Sequence, residues 1–338
     1  MQQGPSHVEP SAARSPSGGR GPRELAFEVF DTRVRLAIHA DDGVDADDAW
    51  AARADAALLD ARGRCAFFER TLSRMLPDSD ISRALAAAPA PVPVEPETAE
   101  LVDAARAYCE ASGGRFDITM GAVTRLWDFK RGEVPSRLAL SRALAHVDHR
   151  AVRAWRGADG AAMLALDDPA SALDLGGITK GYVADDLAGR IEAAGFHRYA
   201  LNLGGNVLVG GGRAAGEPWR IGIVDPWSPD RCIATVAVGD GSVVTSGAHE
   251  RRFARGGRVY HHILDPATGM PAETDLACAT VVSRRSIDGD GYSTTLFMMG
   301  SREAPAFVEG IEGVEAVFVD ARRGVSWTSG LDGLVELA

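Results

Sequence analysis

Two glycine pairs constrain this chain more than any other feature. Gly176-Gly177 stands within Asp174-Leu175-Gly176-Gly177-Ile178-Thr179-Lys180-Gly181-Tyr182, and Gly204-Gly205 within Asn202-Leu203-Gly204-Gly205-Asn206. Between them lie a helical stretch, Tyr182 to Ala194, and an apolar alternation, Tyr199–Leu203, that reads as a strand. With Ala172–Leu175 read as an entering strand, the passage is βαβ-like. Glycines let a ligand approach the backbone, a helix N-terminus offers free N–H groups to phosphate, and Lys180 adds a point charge. The spacing is neither GxxxxGK[ST] nor GxGxxG. The residues alone fit equally well a tight turn with Lys180 in water. The second glycine pair could pack its backbone against the first.

Elsewhere the chain mixes periods without a βαβα rhythm, which favours an α+β fold over a doubly wound sheet. Leu25 to His39 alternates and predicts one bent strand or a hairpin turning near Asp31–Thr32. Asp45 is the expected cap of an Ala-rich helix running to about Arg74. A proline-punctuated loop, Pro89 to Pro96, leads to a helix over Glu97–Ala111 that stops at Gly113-Gly114. A helix near Arg137–Ala145 and a hairpin around Gly157–Gly160 follow. Late helices are expected over Asp290–Met299 and Ser301–Gly310. Three strands close the chain, at Val314–Val319, Val325–Trp327 and Leu334–Leu337. Residues 1–23, rich in Gly, Pro, Ser and Arg, read as a disordered tail, which leaves 24–338 as one catalytic unit of two intimate lobes.

Charge narrows the partners. A net charge of -11 argues against nucleic acid, which needs a basic face. No run approaches the ~20 apolar residues of a membrane helix, and the N-terminal stretch has no apolar core of a signal peptide; the expected location is cytoplasmic. Cys65, Cys109, Cys232 and Cys278 form no CxxC pair and read as buried free thiols.

Three more clusters carry chemistry. Gly114-Arg115-Phe116-Asp117-Ile118-Thr119-Met120-Gly121 puts a carboxylate after a glycine turn, where it could also be a plain cap. Tyr260-His261-His262-Ile263-Leu264-Asp265-Pro266 follows Thr245-Ser246-Gly247; adjacent histidines on a strand face opposite sides, so one at most serves a given site. Asp288-Gly289-Asp290-Gly291-Tyr292-Ser293-Thr294 precedes an apolar helix. If that helix starts at Asp290, then Asp290 and Thr294 share a face and offer hard oxygens suited to Mg²⁺; otherwise Asp290 is an N-cap.

Together, in this order, these clusters resemble the FAD:protein FMN transferase family, the ApbE-like flavin transferases. The similarity runs from roughly Leu72 to Gly300 through LSRMLPDSDISR, GGRFDITMG, LDLGGITKGYVADDLA, LNLGGNV, VVTSG, YHHILDPATG and DGYSTTLFMMG. The resemblance implies a T-fold-like architecture and FAD as substrate, held by Met75, Arg115, Phe116, Asp117, Asp174, Lys180 and Ile263. It implies Mg²⁺ on Asp290, Thr294 and the main-chain oxygen of Gly177. Met75 stands where the family often has an aromatic residue, and Phe30-Asp31-Thr32 where Met-Gly-Thr is common.

The implied reaction is Mg²⁺-dependent transfer of the FMN half of FAD to a Thr or Ser hydroxyl of an acceptor protein, with AMP released. His262 is the expected base, with an ordinary pKa near ~6.5. An FAD pyrophosphatase, with water as nucleophile, or a non-catalytic FAD-binding protein are the alternatives.

Overall fold

The computed structural model describes residues 21–213 and 216–338. The tail expected over residues 1–23 lies outside them as far as residue 20, and strand already begins at Arg23. The first alternation is a hairpin of β1 (Arg23–Val29) and β2 (Thr32–His39). Its turn residues Phe30 and Asp31 both have positive φ, 56° and 55°, the left-handed geometry that suits a two-residue hairpin loop.

Helix α1 (Asp48–Leu72) is capped by Asp47 rather than Asp45: its carboxylate accepts from the Trp50 N–H at 2.8 Å. The sequence reading passed over α2 (Asp80–Ala87), a short helix capped by Ser79 that buries Ile81 and Ala84. The proline loop holds a short strand, β3 (Val92–Pro93), before α3 (Pro96–Ala111), α4 (Gly121–Thr124) and α5 (Arg137–Leu144). The next hairpin is β4 (Val152–Arg156) with β5 (Ala162–Leu166). The expected strand at Ala172–Leu175 does not form; the segment makes one isolated bridge, Ala172 to Met120, and the Asp174 N–H donates to Ile118 O at 2.7 Å.

Helix α6 (Thr179–Ala193) leads into β6 (Arg198–Leu203) and β7 (Asn206–Gly210). Gly204 and Gly205 form the turn between these strands. Gly204 abuts Thr32, where a Cβ would come within 2.2 Å of Oγ1, while a Cβ on Gly205 would meet nothing within 4 Å. The chain continues through β8 (Trp219–Asp225), β9 (Ser228–Val238), β10 (Gly241–Gly247), β11 (Arg252–Arg255), β12 (Arg258–His261) and β13 (Leu276–Ser283). It closes with α7 (Ser286–Val308), β14 (Val314–Asp320), β15 (Val325–Trp327) and β16 (Val335–Leu337). The two expected late helices are present as two helical runs within α7, separated where expected by the non-helical Gly300, with φ 75° and ψ 174°.

The fold is α+β. Eight strands form one sheet in the order β1-β2-β6-β7-β10-β13-β14-β15, and every ladder in it is antiparallel. Period-2 alternation feeds both faces. On β6, Tyr199, Leu201 and Leu203 pack with α1 and α6; on β14, Ala316 and Phe318 pack with α7. The intervening Val317, with Val207, Val209 and Val243, faces the small sheet β16-β9-β8. A separate core joins α2, α3 and β5 to Phe116, Ile118, Leu173 and Ile178. Among the described residues no helix is long and apolar enough to cross a membrane. Cys65, Cys109 and Cys278 are buried free thiols, and Cys232 is partly buried.

Helices α6 and α7 cross near their N-termini, and neither has a side-chain cap of its own. Each is capped by the other. Asp290 of α7 accepts from the Gly181 N–H at 2.6 Å, while Asp185 of α6 accepts from the Ser286 and Ile287 N–H groups at 2.7 and 3.0 Å. Gly181 makes this crossing possible, because a Cβ there would lie 2.4 Å from the Ser286 carbonyl oxygen and 2.7 Å from Ile287 Cα. Backbone of this kind cannot rotate aside. Gly181→Ala is therefore expected to destabilise the protein by about 1–3 kcal/mol, measured by urea unfolding; an unchanged midpoint would mean that the helices can separate without cost.

Candidate functional site

The helix crossing gathers polar groups that the sequence spreads over more than a hundred residues. Helix α7 begins at Ser286, one turn before the expected start, so Asp290 is an interior residue and not the cap of its own helix. Its carboxylate is only 4% exposed. Oδ2 takes the Gly181 N–H, and Oδ1 faces the Lys180 ammonium at 3.8 Å. One turn on, Thr294 Oγ1 lies 3.1 Å from Ser246 Oγ at the end of β10, and Ser246 also meets Ser293 at 2.9 Å. The expected i, i+4 pairing of Asp290 and Thr294 on one helical face therefore holds.

The motif around Asp290 has a packing logic as well. Gly291 lies against Tyr108, and Gly289 against Val244, where a Cβ would come within 2.5 and 2.4 Å of those side chains. Asp288 accepts from Tyr108 Oη at 2.5 Å and pairs with Arg285 at 2.7 Å. The two glycines thus seat α7 against α3 and β10, while the two acids anchor its first turns.

Two histidines, His261 ending β12 and His262 just after it, diverge as strand geometry requires. His261 is buried, donates through Nε2 to the Ala272 carbonyl at 3.1 Å and meets Phe297 edge-on at 5.7 Å. It is a packing residue. His262 keeps 29% of its side chain accessible, and its Nε2 lies 3.9 Å from Glu250 Oε2. Its pKa is not the ordinary value expected from sequence: burial, helped by the Arg251 guanidinium, lowers it to about 4. Neutral imidazole is the resting form. About half of the Glu250 side chain (48%) is reached by solvent, yet desolvation by the surrounding protein raises its carboxyl, against the pull of Lys180 and Arg251.

The remaining expected residues flank the glycine turn. Phe116 is buried beside Gly177, where a Cβ would stand 3.1 Å from its ring. Asp174 accepts from Thr124 Oγ1 at 2.8 Å, from Arg74 Nη1 at 3.0 Å and from the Gly176 N–H at 3.1 Å. Met75, next to Arg74, is 82% exposed. Its loop is held by Ser73 Oγ, which accepts from the Met75 and Leu76 N–H groups. Arg115 pairs with Glu303 at 3.1 Å on the surface. Ile263 is buried next to His262.

Asp117 is committed within the protein. Its oxygens accept from Thr119 N at 2.8 Å and Oγ1 at 2.5 Å, and from His149 N at 3.2 Å and Nδ1 at 2.8 Å. Cys109, Asp117 and His149 bring a thiol, a carboxylate and an imidazole within 4.8 Å. Burial pushes the Cys109 thiol up to about 12, and Asp117 is already saturated with donors, so the trio is a hydrogen-bonded wall. It lines an open recess of about 580 Å³ with Gly113, Gly114 and Pro266.

Sequence reasoning missed His149, Arg74, Asp185 and Glu250. Asp290 and Thr294, one turn apart on α7, offer oxygens of the hard kind that could hold a divalent cation, and Gly177 has an exposed backbone.

Asp185 yields a test of the crossing. Its carboxyl is raised from 3.8 to about 6, because desolvation outweighs the two N–H bonds it accepts. With the folded pKa above the unfolded one, this group's contribution to stability is fully present below the unfolded value and is lost as pH rises through about 6. Asp185→Asn removes that dependence. The stability of the native protein relative to the variant should fall by on the order of 2–3 kcal/mol between pH 4 and pH 7, read from paired denaturant titrations. A difference flat with pH would refute the assignment.

The ApbE family profile matches residues 30–318. The chain is 36% identical over 277 residues to the FAD:protein FMN transferase of Treponema pallidum (strain Nichols), covering 78% of this chain and 76% of that protein. It is 32% identical over 249 residues to the enzyme of that name from Klebsiella pneumoniae (strain 342), covering 71% and 74%. Among solved structures, the ApbE protein of Thermotoga maritima superposes with a TM-score of 0.80 at 25% identity, over 93% of this chain and 99% of that one. The apo form of the Pseudomonas stutzeri flavinyl transferase ApbE gives 0.77 at 28% identity, over 93% and 96%.

Proposed function

Because the chain belongs to the ApbE family, we propose that it is a flavin transferase that moves the FMN half of FAD onto a Thr or Ser hydroxyl of an acceptor protein and releases AMP. The observation that carries this reading is the α6–α7 crossing. Lys180 and the buried Asp290 carboxylate meet beside the Gly176-Gly177 turn, with Thr294 one helical turn on, a combination of cation and hard oxygens suited to a pyrophosphate and its counter-ion.

Asp290, Thr294 and the Gly177 carbonyl would hold Mg²⁺, which supplies charge neutralisation at the pyrophosphate when bound. Lys180 adds a cation that stabilises charge developing on the phosphate oxygens. The FAD contacts proposed are Arg115, Phe116, Asp117, Asp174 and Ile263, with the exposed Met75 giving the isoalloxazine ring an apolar surface next to Asp174. His149 and Thr119 keep Asp117 from turning, so that wall is rigid before ligand arrives.

In the transfer the acceptor oxygen forms a bond to the FMN-side phosphorus while the bond from that phosphorus to the bridging oxygen breaks. AMP departs with the bridging oxygen. The hydroxyl proton passes to His262, which is neutral at physiological pH and stands at the cleft with Glu250 nearby. Its low pKa makes it a weak base in the free enzyme, but one that is never blocked by protonation near neutrality.

The test is covalent flavin on an acceptor, followed by mass, with free FMN and AMP measured in parallel. His262→Ala is expected to slow transfer roughly 10²–10⁴-fold. Asp290→Asn keeps an oxygen for the Gly181 N–H, so it should fold, lose most activity and recover part of it at high Mg²⁺. The pH profile of kcat/KM should show no ionisation near 6.5 that His262→Ala removes. FMN released without acceptor labelling would identify a pyrophosphatase, and full transfer by both variants would refute the assigned roles.

A further inference from the structure

We propose that the β11–β12 hairpin and the recess at its side form the docking surface for an acidic segment of the acceptor protein; the inference rests on the flavin-transfer reading above. Position comes first. Glu250 and Arg251 lead into β11, and β12 runs out directly into His262, whose N–H donates to the Arg251 carbonyl at 3.1 Å. The hairpin therefore springs from the spot where the acceptor hydroxyl must arrive. A protein that presents a side chain to His262 has to lie along it.

The hairpin is an exposed element held unusually firmly. Phe253 and Tyr260 are cross-strand partners whose rings stack at 5.2 Å and 15°. Phe129 packs on Phe253 at 5.8 Å, and Trp127 lies against both Phe129 and Tyr260 at 5.5 and 6.0 Å. Trp127 is itself pinned by its indole N–H to the Gly269 carbonyl at 3.0 Å. Four aromatic rings thus fix a small, otherwise marginal two-stranded unit against the 127–133 loop. Such rigidity is what a preformed binding surface needs.

Charge selects the occupant. Between hairpin and loop lies an open recess of about 580 Å³ whose charged lining is Lys130, Arg131 and Arg255 against the single carboxylate of Glu133. Arg251 and Arg252, both exposed, extend the cationic strip toward His262. The internal partners of this strip are weak competitors. Asp128 reaches Arg131 only at 3.6 Å, and the Arg258–Glu273 pair at 2.8 Å is solvent-exposed. Among the described residues Lys130, Arg251 and Arg252 make no ion pair within 4 Å. A basic strip on a chain of net charge -11 is a local departure that steers an anionic partner to one place. Phe253 and the half-exposed Val259 add apolar contact for the segment's other side chains.

The test uses the full-length protein with FAD and Mg²⁺ and two short fluorescent peptides, each with one central Thr flanked either by Asp or by Asn. The Asp peptide should be flavinylated with a kcat/KM about tenfold higher, through KM, and the preference should shrink as salt rises. Arg131→Glu with Arg255→Glu should erase the preference and leave FAD affinity unchanged. Equal labelling of both peptides, or a preference that survives the charge reversal, overturns the proposal. Peptide anisotropy separates it from the underlying reading: selective binding of the Asp peptide without flavin transfer supports the docking surface and sinks the transferase assignment. Absence of both binding and labelling overturns docking, as does light scattering that shows a dimer dispersed by Arg255→Glu, which would assign the hairpin to a second copy of the chain.

Discussion

Everything at the candidate site hangs on the exchange of carboxylates between α6 and α7. Each helix starts without a capping side chain, and each finds its acceptor on the other. A buried carboxylate is costly unless donors surround it. Here the donors are helix N–H groups that would otherwise be orphaned, so each liability offsets part of the other, though at Asp185 desolvation still outweighs the bonds and raises the carboxyl to about 6. The exchange also fixes Lys180 and Thr294: one stands next to Gly181, the other one turn beyond Asp290. Glycine at 181 sets how closely the axes approach, and Gly289 and Gly291 seat the same helix on its other neighbours. The geometry proposed to hold the anion is thus set by backbone contacts, the least deformable part of the protein.

From that crossing a chain of contacts reaches the rest of the cleft. The glycine turn presses on Phe116; Asp174 ties the turn to Arg74 and Thr124; Ser246 ties the end of β10 to α7. Beneath, the eight-stranded sheet is covered on one face by α1, α6 and α7 and faces a second sheet on the other. The proposed FAD contacts therefore sit on loops whose ends are rooted in packed elements. The hairpin that carries the basic strip is the exception, and it brings its own aromatic core.

Legibility in the sequence followed range. The α6 and late α7 stretches, the closing strands and the Asp290–Thr294 pairing are local periodicities, and they were readable as such. The true start of α7 was not, because its cap is Asp185, 101 residues earlier in the chain. The hold of His149 on Asp117 and of Arg74 on Asp174 spans 32 and 100 residues, with no motif to announce either. Helix α2 was hidden by its length of eight residues beside a proline-rich loop. The lowered pKa of His262 depends on desolvation by residues brought from elsewhere, which no sequence pattern displays.

The central claim is that the helix crossing exists to hold a pyrophosphate with its metal, so the most direct measurement is an equilibrium titration of the protein with FAD and with FMN, each with and without Mg²⁺. FAD spans the crossing, whereas FMN ends in a single phosphate. The account predicts that FAD binds more tightly than FMN and that Mg²⁺ strengthens FAD binding far more than FMN binding. Equal affinities for the two ligands in the presence of Mg²⁺ would contradict it.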